Sequence, residues 1–267
     1  MNYKILCSDL DGTLLTSKSD VSEHTISEIK RIKSQVKIIL VSARMPSAMT
    51  YIQKDLEVED QPIICYNGAL VLNGNQELSS VHIHTEHLQQ IYELAEANNT
   101  QLGLYYNNEW YVESDSERVQ KEIKYTKSSP VFRPTPETLS DWSAREIGAH
   151  KIMLMSTKDD ADALYPILEK KLGEYLNLYR SNDTLIEIAP KSVSKLSAIE
   201  SLLQEGESLE HVISFGDNYN DIDMLQNSGC GVAVGNAREE VKAVANAVTL
   251  PNTENGVAHY IKKHLVI

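Results

Sequence analysis

The chain has 267 residues, 42% hydrophobic and 24% charged, with a formal net charge of −13 at pH 7 and a sequence pI near 5.1. That length can bury a large core and suits two domains, and the composition is that of a water-soluble globular protein. With no basic cluster, no apolar run of membrane-spanning length and no signal peptide at Met1-Asn2-Tyr3-Lys4, neither nucleic acid nor a membrane is an expected partner.

The first third alternates strand and helix patterns. Residues 3–8 read as a strand. Ser22 caps a helix carrying Ile26, Ile29 and Val36, and 37–41 is a second, buried strand. Pro46 suits the first turn of a helix whose apolar face is Met49, Ile52 and Leu56. A third strand over 62–66 ends at Asn67-Gly68, and a short hairpin turns at Asn73-Gly74-Asn75. Cys7, Cys65 and Cys230 are widely spaced with no Cys-x-x-Cys, and read as small buried apolar residues of a reducing cytoplasm.

The middle differs in texture, holding both Trp and most of the Tyr. A helix over 85–98 precedes an antiparallel hairpin over 101–113 that turns at Asn107-Asn108. Helical patterns near 116–127 and 159–172 flank a strand from Lys151 to Met155, and strands near 174–180 and 184–189 close the segment. From Ser194 the alternation returns. A helix carries Leu196, Ile199, Leu202 and Leu203. A strand from His211 to Phe215 runs into Gly216-Asp217, and the strand 231–234 and two further helices follow. These patterns predict an α/β fold: a doubly wound parallel-sheet core, residues 1–81 and 190–267, with an inserted α+β domain, residues 82–189. Ligands of such a sheet sit beyond the carboxyl ends of its strands.

Chemistry concentrates at those ends. Asp9 and Asp11 follow the first strand, and residues two apart can share one side of it. Two crowded carboxylates repel unless a cation lies between them or one keeps a proton. A calcium loop of the EF-hand type is excluded, because Leu14 and Asp20 stand where that loop needs Gly and Glu. The second strand supplies Ser42-Ala43-Arg44, the helix start after the insertion Lys195, and the last segment Gly216-Asp217-Asn218-Tyr219-Asn220-Asp221. Each is weak alone; in this order, each at a βα junction, they read as one site.

These segments resemble the four motifs of the haloacid dehalogenase superfamily, and most resemble its Cof-type (class IIB cap) phosphatases. Asp9-Leu10-Asp11-Gly12-Thr13-Leu14 matches the first motif and Ser42, with Arg44 beside it, the second. Lys195 matches the third, Gly216 to Asp221 the fourth, and Asn67-Gly68-Ala69 a tripeptide common before the cap. Ser42-Ala43-Arg44 departs from the frequent Thr-Gly-Arg, and Ser192 and Leu196 stand where glycine is frequent around Lys195. No catalytic group is lost.

The resemblance implies a Mg²⁺-dependent phosphatase of small phosphorylated metabolites, sugar phosphates or similar. Asp9 would be the nucleophile that forms an aspartyl-phosphate, and Asp11 the general acid and then base. Asp9, the backbone carbonyl of Asp11, and Asp217 are the implied metal ligands. Ser42, Lys195 and the backbone N–H groups of Leu10 and Ala43 would hold phosphoryl oxygens. Asn220 would hold phosphate or fix Lys195, and Arg44, Asn67 and Asp221 would orient these groups. Loops of the insertion, including Tyr105-Tyr106 and the segment near Arg180, would read the substrate. The alternatives are a phosphomutase or phosphotransferase of the same fold, or a non-catalytic phospho-ligand binding module.

Overall fold

In the computed structural model, which describes residues 3–17 and 19–265, the chain divides into two units, Met1–Ser79 with Ser194–Ile267, and Ser80–Val193. The predicted boundaries stood at 81/82 and 189/190. The second junction falls later because the last strand of the insertion still pairs at Pro190, opposite Leu176, and Ser194 is already the cap of the next helix.

The first unit opens with β1 (Ile5–Ser8), α1 (Glu23–Ile32), β2 (Lys37–Val41), α2 (Ser47–Leu56), β3 (Pro62–Cys65), β4 (Leu70–Asn73) and β5 (Gln76–Ser80). The second unit contains α3 (Thr85–Glu96), β6 (Gln101–Tyr106), β7 (Glu109–Val112), α4 (Glu117–Thr126), β8 (Val131–Phe132), α5 (Thr135–Ala144), β9 (Lys151–Met155), α6 (Lys158–Leu172), β10 (Leu176–Asn182) and β11 (Leu185–Pro190). The first unit resumes with α7 (Lys195–Ser201), β12 (Val212–Gly216), α8 (Ile222–Asn227), β13 (Cys230–Ala233), α9 (Glu239–Val244), β14 (Ala247–Val248) and α10 (Gly256–His264).

The sheet of the first unit has the order β14-β13-β12-β1-β2-β3-β4-β5. It is parallel from β14 to β3, and β4 pairs antiparallel with β3. All four residues of β1 are buried, as a strand covered on both faces requires, so its sequence reads as an unbroken apolar run rather than an alternation. From β1 the chain moves to β2 on one side; from β12 it moves to β13 on the other. The strand order therefore reverses between β1 and β12, which opens a crevice at their carboxyl ends. Asp9 follows β1 directly and Asp217 follows β12.

The second unit is a six-stranded sheet of order β10-β11-β9-β6-β7-β8. Leu102 and Leu104 of β6, Ile152 and Leu154 of β9, and Ile186 and Ile188 of β11 share one buried cluster with Leu88 and Ile91 of α3, Trp142 of α5 and Leu164 and Leu168 of α6. The period-2 spacing of the strand residues presents one apolar face to three helices. Tyr105 stacks on Trp110 with centroids 5.4 Å apart, and Tyr106 on His150 at 4.9 Å. Arg180 pairs with Asp162 at 2.8 Å.

Several elements depart from the sequence reading, among them β8, which was not anticipated, and α1, which ends at Ile32, short of Val36. α5 was not anticipated: Thr-Pro-Glu-Thr-Leu-Ser-Asp-Trp-Ser-Ala is poor in strong helix formers, and Trp142 is its one large buried side chain. α7 was anticipated with an apolar face through Leu196, but its buried residues are Lys195, Ala198 and Ile199. The helix turns its lysine inward, to the chemistry described next. The three cysteines are free and buried, as expected, and no helix among the described residues is long and apolar enough to cross a membrane.

Candidate active site

β1 ends at Ser8, and residues Leu10–Leu14 form a tight turn. Strand alternation therefore does not place Asp9 and Asp11 on one face, as the sequence suggested. Asp9 is buried and its backbone N–H still donates to Phe215 of β12 at 3.0 Å. Gly12 reverses the chain with φ +87°, a conformation that strains any residue with a side chain. A Cβ at this position would also stand 2.5 Å from Asp217 Oδ2. Gly12→Ala is thus expected to push Asp217 aside and cost about 1–3 kcal/mol. Calorimetric unfolding of the metal-free protein checks it: an unchanged midpoint would refute the contact.

Lys195 is 1% exposed, and its Nζ donates to Asp9 Oδ1 at 2.6 Å and to Asp221 Oδ1 at 2.7 Å. Its helix begins where it does because Ser194 caps it, with Ser197 completing a reciprocal capping box. Gly68 supports that cap: a Cβ there would lie 2.3 Å from the Ser194 carbonyl oxygen, so only glycine lets the Tyr66–Gly68 turn approach. Asp221 Oδ2 accepts from the backbone N–H groups of Asp217 and Asn218 at 2.9 and 3.0 Å. Asp221 therefore ties Lys195 to the loop that carries Asp217.

Carboxylate oxygens of Asp9, Asp217 and Asp221 all lie within 4.8 Å of one another. Counted as formal charges, they and Lys195 make three negative and one positive, a net −2. Burial pushes the Asp9 carboxyl well up, Lys195 pulls it back, and Asp221 and Asp217 raise it again. Burial and the neighbouring Asp221 push Asp217 up to about 6. Burial alone would lower the Lys195 ammonium, but the two carboxylates outweigh it and hold it above its usual value. Uncompensated negative charge of this kind, offered by oxygen donors only, is what a hard divalent cation fits.

Asp11 stands apart from that triad. Its side chain is 42% exposed, and the buried Arg44 guanidinium grips it through Nε to Oδ2 at 2.7 Å and Nη2 to Oδ1 at 2.8 Å. Arg44 is anchored in turn by the Ala48 carbonyl and the Tyr51 hydroxyl. The fork holds the carboxylate in one orientation while one side stays open to solvent. Ser42 is buried just beyond β2; its backbone N–H donates to Ile64 and its carbonyl accepts from Asn67. Ala43 is half-buried between Ser42 and Arg44, and Leu10 is buried in the turn, its carbonyl accepting from Leu15.

Of the two roles expected of Asn220, fixing Lys195 falls to its neighbour. Asn220 Nδ2 donates to Asn67 Oδ1 at 3.1 Å, and the residue that fixes Lys195 is Asp221. Asn220 is only half-buried, whereas a buried ammonium needs a charged acceptor. Two contributors went unassigned in the sequence. Thr13 donates to Asp217 Oδ1 at 3.1 Å, and Asn236 donates to the Gly12 carbonyl at 2.8 Å. A threonine after the glycine turn and an asparagine just past the end of β13 were the available signals.

A family model described as haloacid dehalogenase-like hydrolase matches residues 6–261. A Haemophilus influenzae protein with a provisional phosphatase name is 35% identical over 262 residues, covering 97% of each chain. The pyridoxal phosphate phosphatase YbhA of Escherichia coli is 29% identical over 277 residues, covering 100% of both. The crystal structure of a haloacid dehalogenase-like hydrolase from Bacteroides thetaiotaomicron superposes with a TM-score of 0.88 at 28% identity, covering 98% of this chain and 99% of that one.

Proposed function

The chain belongs to the haloacid dehalogenase-like hydrolases, and from that premise we propose that it is a Mg²⁺-dependent phosphatase of small phosphorylated metabolites, of the Cof-type (class IIB cap) branch. The observation that carries this reading is the Asp9–Asp217–Asp221 triad, with Asp9 and Asp221 buried and closed by Lys195, and a further carboxylate, Asp11, two residues from Asp9. Relatives named for phosphatase activity, one of them on pyridoxal phosphate, support the reaction class.

Asp9 is the nucleophile. Its Oδ1 is engaged by Lys195, which orients the carboxylate for attack on phosphorus. The resulting aspartyl-phosphate divides one difficult displacement into two easier ones. Asp11 protonates the leaving alcohol and then takes a proton from the attacking water, work worth about 10²–10⁴-fold. Arg44 keeps that carboxylate aimed between the two steps. Asp9, the Asp11 carbonyl and Asp217 would hold Mg²⁺, which screens an anionic nucleophile from an anionic substrate. Ser42, Lys195 and the N–H groups of Leu10 and Ala43 bind the phosphoryl oxygens as charge develops. Asn220 and Asn67, bonded to each other, brace the rim beside them.

The reading is tested by phosphate release from a panel of phosphorylated metabolites, sugar phosphates and pyridoxal phosphate included. Release with Mg²⁺, loss with EDTA and restoration by added metal are expected. A folded protein that binds Mg²⁺ and releases phosphate from none of the panel would overturn it.

Cation binding also has a defined pH dependence. A proton on Asp217 competes with the metal, so affinity falls as pH drops through about 6, and the raised Asp9 carboxyl adds to the loss. Mn²⁺ titrations between pH 5 and 8 should show a loss approaching tenfold per pH unit at the acid end. A flat profile would mean that Asp217 is not a ligand.

A further inference from the structure

The segment that follows β13 touches both acidic loops. Asn236 Nδ2 donates to the Gly12 carbonyl at 2.8 Å. Two residues on, the Arg238 backbone N–H donates to the Asp217 carbonyl at 3.1 Å, and its Nε donates to Asn218 Oδ1 at 2.9 Å. The segment is itself anchored. Asn236 Oδ1 accepts from the backbone N–H of Asn252 at 2.8 Å, and the Gly235 N–H donates to the Leu250 carbonyl at 3.1 Å. Gly235 packs so closely that a Cβ would stand 2.7 Å from the Pro251 ring.

Asn236 is exposed, so burial does not force its amide to find partners, yet both ends of that amide are engaged. The carbonyl it holds belongs to the peptide between Gly12 and Thr13. That peptide lies between the Asp11 carbonyl, on one side, and the Thr13 hydroxyl that orients Asp217, on the other. We propose that Asn236 is a positioning residue that holds the Asp9–Leu15 turn and the Asp217 loop at the separation a divalent cation requires, and so sets metal affinity without supplying a ligand. The inference rests on the metal-dependent reading above.

Mn²⁺ binding to the full chain by isothermal titration calorimetry tests it independently of turnover. Asn236→Ala removes both side-chain hydrogen bonds, to Gly12 and from Asn252, and loss of the Gly12 contact should weaken Mn²⁺ binding about three- to tenfold, with the thermal midpoint near that of wild type. Asn252→Ala is the control. It removes a contact to the same turn at its far end, the Asn252 Nδ2 bond to the Leu15 carbonyl at 2.8 Å, and should leave Mn²⁺ binding within about twofold. Asn236→Ser, whose hydroxyl is too short to reach Gly12, serves should alanine impair folding. Unchanged binding in the Asn236 variants, or equal weakening in Asn252→Ala, overturns the positioning role while leaving the metal site standing. Absence of Mn²⁺ binding in the wild type overturns the metal reading and this inference with it.

Discussion

Asp9→Asn is expected to abolish phosphate release, by on the order of 10⁴-fold or more, while making the metal-free protein more resistant to heat. The two effects share one cause. An amide cannot attack phosphorus, so the aspartyl-phosphate does not form. The same substitution removes a charge whose burial is unfavourable: the Asp9 carboxyl is pushed up by desolvation and by Asp221 and Asp217, against the pull of Lys195. The crevice then carries −1 in place of −2, and Lys195 keeps Asp221 at 2.7 Å. The amide oxygen still accepts from Nζ, so the Lys195 donor keeps this partner. Thermal unfolding in EDTA beside an assay in Mg²⁺ would measure both. A variant that retains turnover ends the nucleophile assignment. One that loses turnover and also stability shows that the Asp9–Lys195 pair stabilises the metal-free fold more than its charge destabilises it.

Much of the site was legible in the sequence because its segments, apart from the start of α7 that carries Lys195, lie at strand ends that a doubly wound sheet brings together. Asp9 and Asp217 follow β1 and β12, as the βα alternation and their order along the chain imply, and Lys195 meets Asp9. The arrangement of their side chains was not legible. Asp9 and Asp11 seemed to share a strand face, but the strand stops at Ser8 and Gly12 turns the chain, so Asp11 meets Arg44 and leaves the triad to Asp9, Asp217 and Asp221. Asn220 and Asp221 are adjacent, and only the geometry of the loop decides which one faces Lys195. Periodicity counted Leu196 toward the buried face of α7 because it cannot foresee a lysine buried by two carboxylates. α5 was hidden for the opposite reason: one tryptophan anchors a helix whose other residues carry almost no pattern.

Lys195→Met should have the largest effect on stability. It leaves the buried Asp9 and Asp221 without their cation, with the half-buried Asp217 within 4.8 Å of both. Removing one partner of a buried ion pair typically costs about 3–5 kcal/mol, because the charge left behind is uncompensated. The pH dependence identifies the cause. A carboxyl whose folded pKa exceeds its unfolded value favours folding fully below the unfolded value, and that contribution is lost as pH rises through the folded one. For Asp217 the window runs from the ordinary 3.8 to about 6 in the wild type, and removing Lys195, which lowers the Asp217 value, extends it upward. The metal-free variant should therefore regain stability between pH 7 and 5, by more than the wild type does. A saturating divalent cation at pH 7 should restore part of the same loss, since it supplies the charge that Lys195 no longer does. Denaturant midpoints at pH 5 and 7, with EDTA and with Mg²⁺, separate this from a packing defect. A lost methionine fit would be indifferent to protons and metal alike, and a deficit equal under all four conditions would remove the electrostatic explanation of the site.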